Sequence, residues 1–289
     1  MLQSHVLLKR WCAKLALLAC ACASSVAAQA SPAQPCNAAA IQAAARLLKR
    51  PELALPASAT AGAEAAAHSL IAAACKPWPD DRRLTAVAVA YRLPDQPEDM
   101  PEIGLLVGLV RTSTGEWVRS HRRTLQEDAG FELNADGLAL DTAPYRLAPD
   151  VRALGYVLTS SAPGPSCPDG GAEHELTLLI PDGAGLRPVF SVARHRWLQV
   201  AGEPACGAHA PRVTVMEDTQ LTIAVSEHAT MGLADLIVTA HVSTRDASDP
   251  PLPAADPRLS KPRIARKTVR YDGKRYPSDA LFDFWRTPP

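Results

Sequence analysis

The residues of this chain best suited to chemistry are its cysteines and histidines, and four of them form two close pairs in sequence. Cys206 and His209 are three positions apart, and Cys167 precedes His174 by seven positions. Two thiolates and two imidazoles are a common ligand set for zinc. Structural zinc sites usually draw two ligands from each compact segment, however, and His209 lies in an ordinary loop containing glycine and proline. We therefore predict no metal and no cofactor, and a disulfide bond at these cysteines instead.

Residues 1–30 predict a secretory signal peptide. Basic side chains at positions 9–14 precede a short apolar core at positions 15–23, and small residues at positions 28–30 suit a signal peptidase. The apolar core is too short for a membrane-spanning helix. Cys20 gives an alternative, since the sequence LLAC that it ends resembles a lipoprotein cleavage box. The expected location is periplasmic or secreted.

Removal of this peptide leaves four of the seven cysteines. An even number of cysteines in an exported chain predicts two disulfide bonds, which persist in oxidising compartments. Cys36 and Cys75 fall at the two ends of a predicted helical hairpin that meet in space. Cys167 and Cys206 lie in loops that should leave the same end of a predicted sheet. The predicted bonds are therefore Cys36 with Cys75 and Cys167 with Cys206.

Two alanine-rich segments make up the predicted helical hairpin, which spans residues 31–79. The first begins at Cys36 and has apolar residues at helical spacing until a proline at position 51 ends it. The second spans residues 63–75. Alanine is the best helix former, so both segments are predicted to be helices packed antiparallel to each other.

Residues 80–245 predict an antiparallel β-sandwich or barrel-like body. Residues 84–93 and 103–110 are apolar on both faces, as in central strands, whereas residues 116–124 are polar enough for an exposed or edge strand. A turn at residues 112–115 predicts a hairpin. Short strands separated by turns at this density are typical of such folds. Further strands are predicted at residues 151–159, 174–180, 186–200, 212–216, 220–226 and 233–242.

A proline-rich linker at residues 246–257 leads to a basic segment at residues 258–289. That segment holds nine Lys or Arg and three Asp or Glu, a formal charge of +6, against −9 for residues 31–257. The dipeptide Asp272-Gly273 predicts a hairpin turn, and the sequence LFDFW predicts an anchor that pins the terminus to the core.

Two explanations account for this division of charge. The basic segment is attracted to the acidic body, or it is a docking surface for an acidic protein or an anionic envelope polymer. The second explanation supplies the predicted partner-binding residues, which are Arg263, Arg266, Lys267, Arg270, Lys274 and Arg275.

Other function classes receive less support from the sequence. A net charge near zero does not favour nucleic-acid binding, and the absence of another long apolar run predicts no transmembrane segment in the mature chain. The acidic residues 95–102 lack the spacing of an EF-hand loop, and no G-x-S-x-G, H-E-x-x-H, S-x-x-K or Walker motif is present. These features favour a non-catalytic envelope protein that binds another macromolecule, as an inhibitor, immunity factor or accessory subunit. The alternative is an extracytoplasmic hydrolase whose site is assembled from distant loops.

Overall fold

A computed structural model describes residues 36–54, 69–94, 101–202 and 213–286. The fold is mainly β, and its principal sheet is barrel-like and nearly closed. Helix α1 (Ala38–Leu48) precedes the strands, and short 3-10 helices lie at Pro51–Ala54 and Asp279–Leu281. The strands are β1 (Leu70–Pro77), β2 (Leu84–Arg92), β3 (Glu102–Arg111), β4 (Trp117–Gln126), β5 (Leu138–Asp141), β6 (Arg146–Ala148), β7 (Val151–Arg152), β8 (Leu154–Leu158), β9 (Gly170–Asp182), β10 (Gly185–Gly202), β11 (Thr214–Thr230), β12 (Leu233–Asp246) and β13 (Arg263–Val269).

The barrel-like part of the sheet joins two sets of antiparallel strands. Strands β1 to β4 pair in chain order, and β5, β8, β9 and β10 form the second set. The sets meet through a single parallel pair, Ser120 of β4 with Gly185 of β10. On the opposite side β5 packs beside β1, where Lys76 Nζ donates a hydrogen bond of 2.8 Å to the carbonyl of Leu140. The sheet therefore nearly closes on itself.

Alternate residues of these strands fill the interior, as the two-residue period of a strand requires. Small alanines of β1 and β2 face larger side chains of β3, β5 and β8, so the interior is filled without crowding. The principal interior residues are Ala72, Ala74, Ala86, Ala88, Ala90, Ile103, Leu105, Val107, Leu138, Leu140, Leu154, Tyr156 and Leu179.

Helix α1 covers the outer face of β2 and β3. Asn37 begins the helix by accepting a hydrogen bond of 2.9 Å from the Ala40 amide, and Lys49 ends it in the left-handed conformation. Its buried alanines pack on Val87 and Val89. Because the interior covers one face of β2 and β3 and the helix covers the other, both strands are apolar on both faces, as predicted.

The long strands β9 and β10 continue beyond the barrel-like part, and β10 pairs there with β11, which is followed by β12 and β13. A second core lies on one face of this extension, and the C-terminal segment covers it with Tyr276, Leu281 and Trp285. Other members of this core are Leu178, Phe190, Val192, Leu221, Leu236, Val238, Val242 and Val269.

The predicted second helix is wrong where the structure describes it. Residues 63–68 lie outside the described residues, and the chain from Leu70 to Pro77 is strand β1, paired antiparallel with β2. Ala72 and Ala74 are buried in the barrel-like interior, in the same cluster as the alanines of β2. Tertiary packing thus overrides the helix propensity of alanine. The described residues of the region 31–79 form helix α1, a short 3-10 helix and strand β1, and the predicted helical hairpin is not confirmed.

The sheet also extends beyond the predicted boundaries of 80–245. It begins at β1 and ends with β13, which follows the irregular linker. Residues 214–216 of one predicted strand and the whole predicted strand 220–226 belong to a single strand, β11. At Asp272-Gly273 a tight turn forms, with the Asp272 amide donating to the Arg275 carbonyl at 3.0 Å. Strand β13 before that turn pairs with β12 rather than with the residues after it.

One predicted disulfide bond is confirmed. Cys36 and Cys75 are joined with their Cα atoms 4.9 Å apart, which links the residue before the helix cap to β1. Cys167 is also disulfide-bonded. Its predicted partner, Cys206, lies outside the described residues.

Candidate functional site

The predicted partner-binding residues lie on β13 and in the segment that follows it. Strand β13 ends the strand order of the main sheet and pairs with β12. Arg263 and Arg275 have carboxylate partners within the chain: Arg263 Nη2 is 3.0 Å from Glu217, and Arg275 Nη2 is 3.6 Å from Asp279. These two cations are therefore neutralised intramolecularly.

Glu217 is the centre of a polar cluster that fastens the C-terminal segment to the sheet. Its carboxylate accepts hydrogen bonds from Trp285 Nε1 at 3.1 Å, Arg263 Nη2 at 3.0 Å and Arg286 Nε at 3.1 Å. Burial raises the pKa of Glu217, but the three hydrogen bonds outweigh burial, and its pKa lies below its ordinary value. Part of the charge division is thus structural.

The other four predicted residues, Arg266, Lys267, Arg270 and Lys274, we call the basic C-terminal surface. Within the part of the chain that the structure describes, none of them has a carboxylate oxygen within 4.0 Å. Lys267 lies on the core-facing side of β13 and is half-buried, whereas the other three are exposed. This surface carries positive charge that the described body does not neutralise.

Two exposed apolar side chains border the basic C-terminal surface. Ile264 is 63% exposed and shares a face of β13 with Arg266. Met231 is 70% exposed and lies beside the Asp272-Gly273 turn, so close that a Cβ on Gly273 would be 3.1 Å from its terminal methyl. Arginine and methionine are enriched at protein interfaces. The combination of charge and exposed apolar area suits a docking surface.

A second polar cluster lies across β9, β10 and β11. His195 Nδ1 is 3.2 Å from Glu173 Oε2, and its Nε2 is 3.0 Å from Asp218 Oδ1. His174 Nδ1 is 2.9 Å from Thr159 Oγ1, and the two imidazole rings are 6.3 Å apart. No pattern in the sequence predicts that these two histidines lie together.

The chain matches no known protein family, curated protein or solved structure. Its function must therefore be inferred from the chemistry of its own sites. Among the residues that the structure describes, no helix has the length and apolar character needed to cross a membrane.

A hydrolase of the serine type needs a nucleophilic hydroxyl beside a histidine. In the described part of the chain the hydroxyl that bonds to His174 belongs to Thr159, while His195 bonds to two carboxylates. Neither histidine is hydrogen-bonded to a serine among those residues. No specific observation thus favours a serine hydrolase.

The metal sites weighed from the sequence receive no support from the described residues. Cys167 is disulfide-bonded and so offers no thiolate, while Cys206 and His209 lie outside the described residues. Residues 95–100 of the acidic run also lie outside them. His174 instead belongs to the cluster around His195.

Proposed function

We propose that this chain is an exported, non-catalytic protein that binds an acidic protein partner through the basic C-terminal surface. The observation that carries the proposal is the difference between paired and unpaired cations. Arg263 and Arg275 have carboxylate partners, whereas Arg266, Arg270 and Lys274 are exposed and have none among the described residues. Uncompensated charge of one sign raises the rate and the specificity of association with an oppositely charged partner.

Two features favour a protein over an anionic polymer as the partner. Met231 and Ile264 expose large apolar surfaces beside the cations. A polyanion needs only charge from its binding site, whereas protein interfaces usually combine an apolar centre with a charged rim. An inhibitor, an immunity factor or an accessory subunit would use such a surface.

Export is supported by the covalent structure of the chain. Cys36 and Cys75 form a disulfide bond, and disulfide bonds persist in oxidising compartments. The basic and apolar pattern of residues 1–30 is consistent with secretion. We therefore place the partner in the periplasm or outside the cell. Mass spectrometry of the mature chain tests the alternative, a lipoprotein processed at Cys20.

The test is crosslinking and affinity recovery of the tagged mature chain from its native envelope. A variant carries Arg266→Gln, Lys267→Gln, Arg270→Gln and Lys274→Gln. We expect the native chain to recover one acidic protein, and the variant to bind the purified partner at least about tenfold more weakly at low salt, since steering charge is lost.

A matched control removes four exposed positive charges from elsewhere that have no carboxylate partner among the described residues, by Arg46→Gln, Lys49→Gln, Arg82→Gln and Arg122→Gln. This control should recover the partner as the native chain does. Equal binding by all three proteins would show that the basic C-terminal surface is not the interface. Recovery of an anionic polymer in place of a protein would reject the class of partner proposed here.

A further inference from the structure

We propose that Glu173, His174 and His195 bind one divalent transition-metal ion of the zinc class. One potential ligand atom from each residue lies within 4.8 Å of the other two. Ligands of a tetrahedral zinc ion are about 3.4 Å apart, because metal–ligand bonds are roughly 2.0–2.1 Å long. Glu173 Oε2 and His195 Nδ1 already meet that spacing at 3.2 Å. A modest rotation of the exposed side chain of His174 would complete the site.

A hydrogen bond engages one ring nitrogen of each imidazole, as is usual for histidines that bind metal. The Nδ1 atom of His174 is engaged by Thr159, and the Nε2 atom of His195 is engaged by Asp218. Arg245 Nε in turn lies 3.5 Å from the other oxygen of Asp218. Metal-binding histidines commonly have their second nitrogen fixed by a hydroxyl, carbonyl or carboxylate oxygen in this way. The remaining nitrogen of each ring is then available for the ion.

The backbone explains how adjacent residues of β9 reach one site. Glu173 is the register partner of His195 across β9 and β10. Regular alternation would send the next side chain, His174, to the opposite face of the sheet. His174 instead has φ 56°, in the left-handed region, which interrupts that alternation. Its ligand atom can therefore lie near those of Glu173 and His195.

The donor set selects the class of metal. Two imidazole nitrogens and one carboxylate suit zinc and neighbouring divalent metals, whereas calcium and magnesium prefer oxygen ligands. Glu175 is not a fourth ligand, because it accepts a hydrogen bond of 2.9 Å from Ser191 Oγ and lies 3.7 Å from Arg123. The site would thus have three protein ligands and one open position.

A hydrogen-bond network without metal is the competing explanation. A doubly protonated His195 could donate to Glu173 and to Asp218 at once. This explanation accounts for His195 and leaves the Nε2 atom of the exposed His174 to solvent. The two explanations differ in whether the chain binds zinc, which a titration measures.

The experiment is a zinc titration of the purified mature chain after removal of metal with a chelator. Isothermal calorimetry with Zn²⁺ is expected to show one site. His174→Gln and His195→Gln, made separately, should each weaken binding at least tenfold, because each removes a ligand. Absorption of the Co²⁺ form should show tetrahedral bands in the native chain and lose them in both variants.

His228→Gln is the matched control, because His228 is an exposed histidine of β11 outside the cluster. It should bind zinc as the native chain does. If His195→Gln does not fold, the exposed His174→Gln variant keeps the test decisive. Absence of stoichiometric binding, or stoichiometric binding that His174→Gln leaves unchanged, would overturn the proposal.

Discussion

Replacing both Cys36 and Cys75 by alanine is expected to lower the free energy of unfolding by about 2–4 kcal/mol. The two cysteines are 39 positions apart, so their bond removes many conformations from the unfolded chain. The bond also holds α1, which has only 11 residues and meets the sheet mainly through alanines. Isolated helices this short are marginal in water, so α1 depends on its attachment.

Urea unfolding of the oxidised native chain and of the double variant measures this effect, and hydrogen exchange locates it. Amides of α1 should lose protection from exchange first, followed by amides of β2 and β3, the strands that α1 covers. Reductant added to the double variant isolates the contribution of the bond at Cys167. An unchanged unfolding midpoint with unchanged protection of α1 would show that the helix is held by packing alone.

Strands β2, β3 and β4 were predictable because local sequence and tertiary environment agree there. Both faces of β2 and β3 are covered, so their apolar residues are continuous, and a turn between β3 and β4 is visible in the sequence. Strand β1 was not predictable in the same way. Its sequence, LIAAACKP, has strong helix formers whose small size matters only once β2 is in place.

The His195 cluster depends on a register shift in β10 that the sequence pattern does not predict. An unbroken ladder from the turn between β9 and β10 would place Arg194 opposite Glu173. The register shifts by one position between Pro188 and Phe190, and His195 takes that place instead. A shift of one position exchanges the two faces of a strand. Proline in the strand was the only available signal, since it cannot donate a ladder hydrogen bond.

The charge division was visible in the sequence, but its meaning was not. Composition alone cannot distinguish Arg263, which pairs with Glu217 from 46 positions away, from Arg266, which has no carboxylate partner among the described residues. Arg263 and Arg266 lie on opposite faces of β13. Attraction within the chain therefore explains Arg263, and docking is our proposal for Arg266.

Glu217→Gln is expected to lower the free energy of unfolding at pH 7 by about 2–3 kcal/mol, the cost of weakening hydrogen bonds to a buried charge. The Glu217 side chain is 7% exposed and receives Trp285, Arg263 and Arg286. Both arginines retain contact with water, which keeps the loss below that of a fully buried pair. The C-terminal segment should become the first part of the chain to open.

The stabilisation by Glu217 is expected to depend on pH. The pKa of Glu217 in the folded chain lies below its ordinary value of 4.5. The unfolded chain therefore binds more protons in acid, so the stabilisation is complete above pH 4.5 and is lost as the pH falls through the folded pKa. The native chain should lose more stability on acidification than Glu217→Gln, in which this group no longer titrates.

Urea unfolding at pH 7 and at several values below pH 4.5 measures both effects, with the pH chosen from the ordinary pKa of the group. Glu227→Gln is the matched control, since Glu227 is an exposed carboxylate of the same strand without an ion pair among the described residues. Its stability should stay within about 0.5 kcal/mol of the native chain. The contrary result would be an equal loss of unfolding free energy on acidification in the native chain and in Glu217→Gln. It would mean that burial of Trp285 and Leu281 alone holds the C-terminal segment, and that the Glu217 carboxylate does not stabilise it.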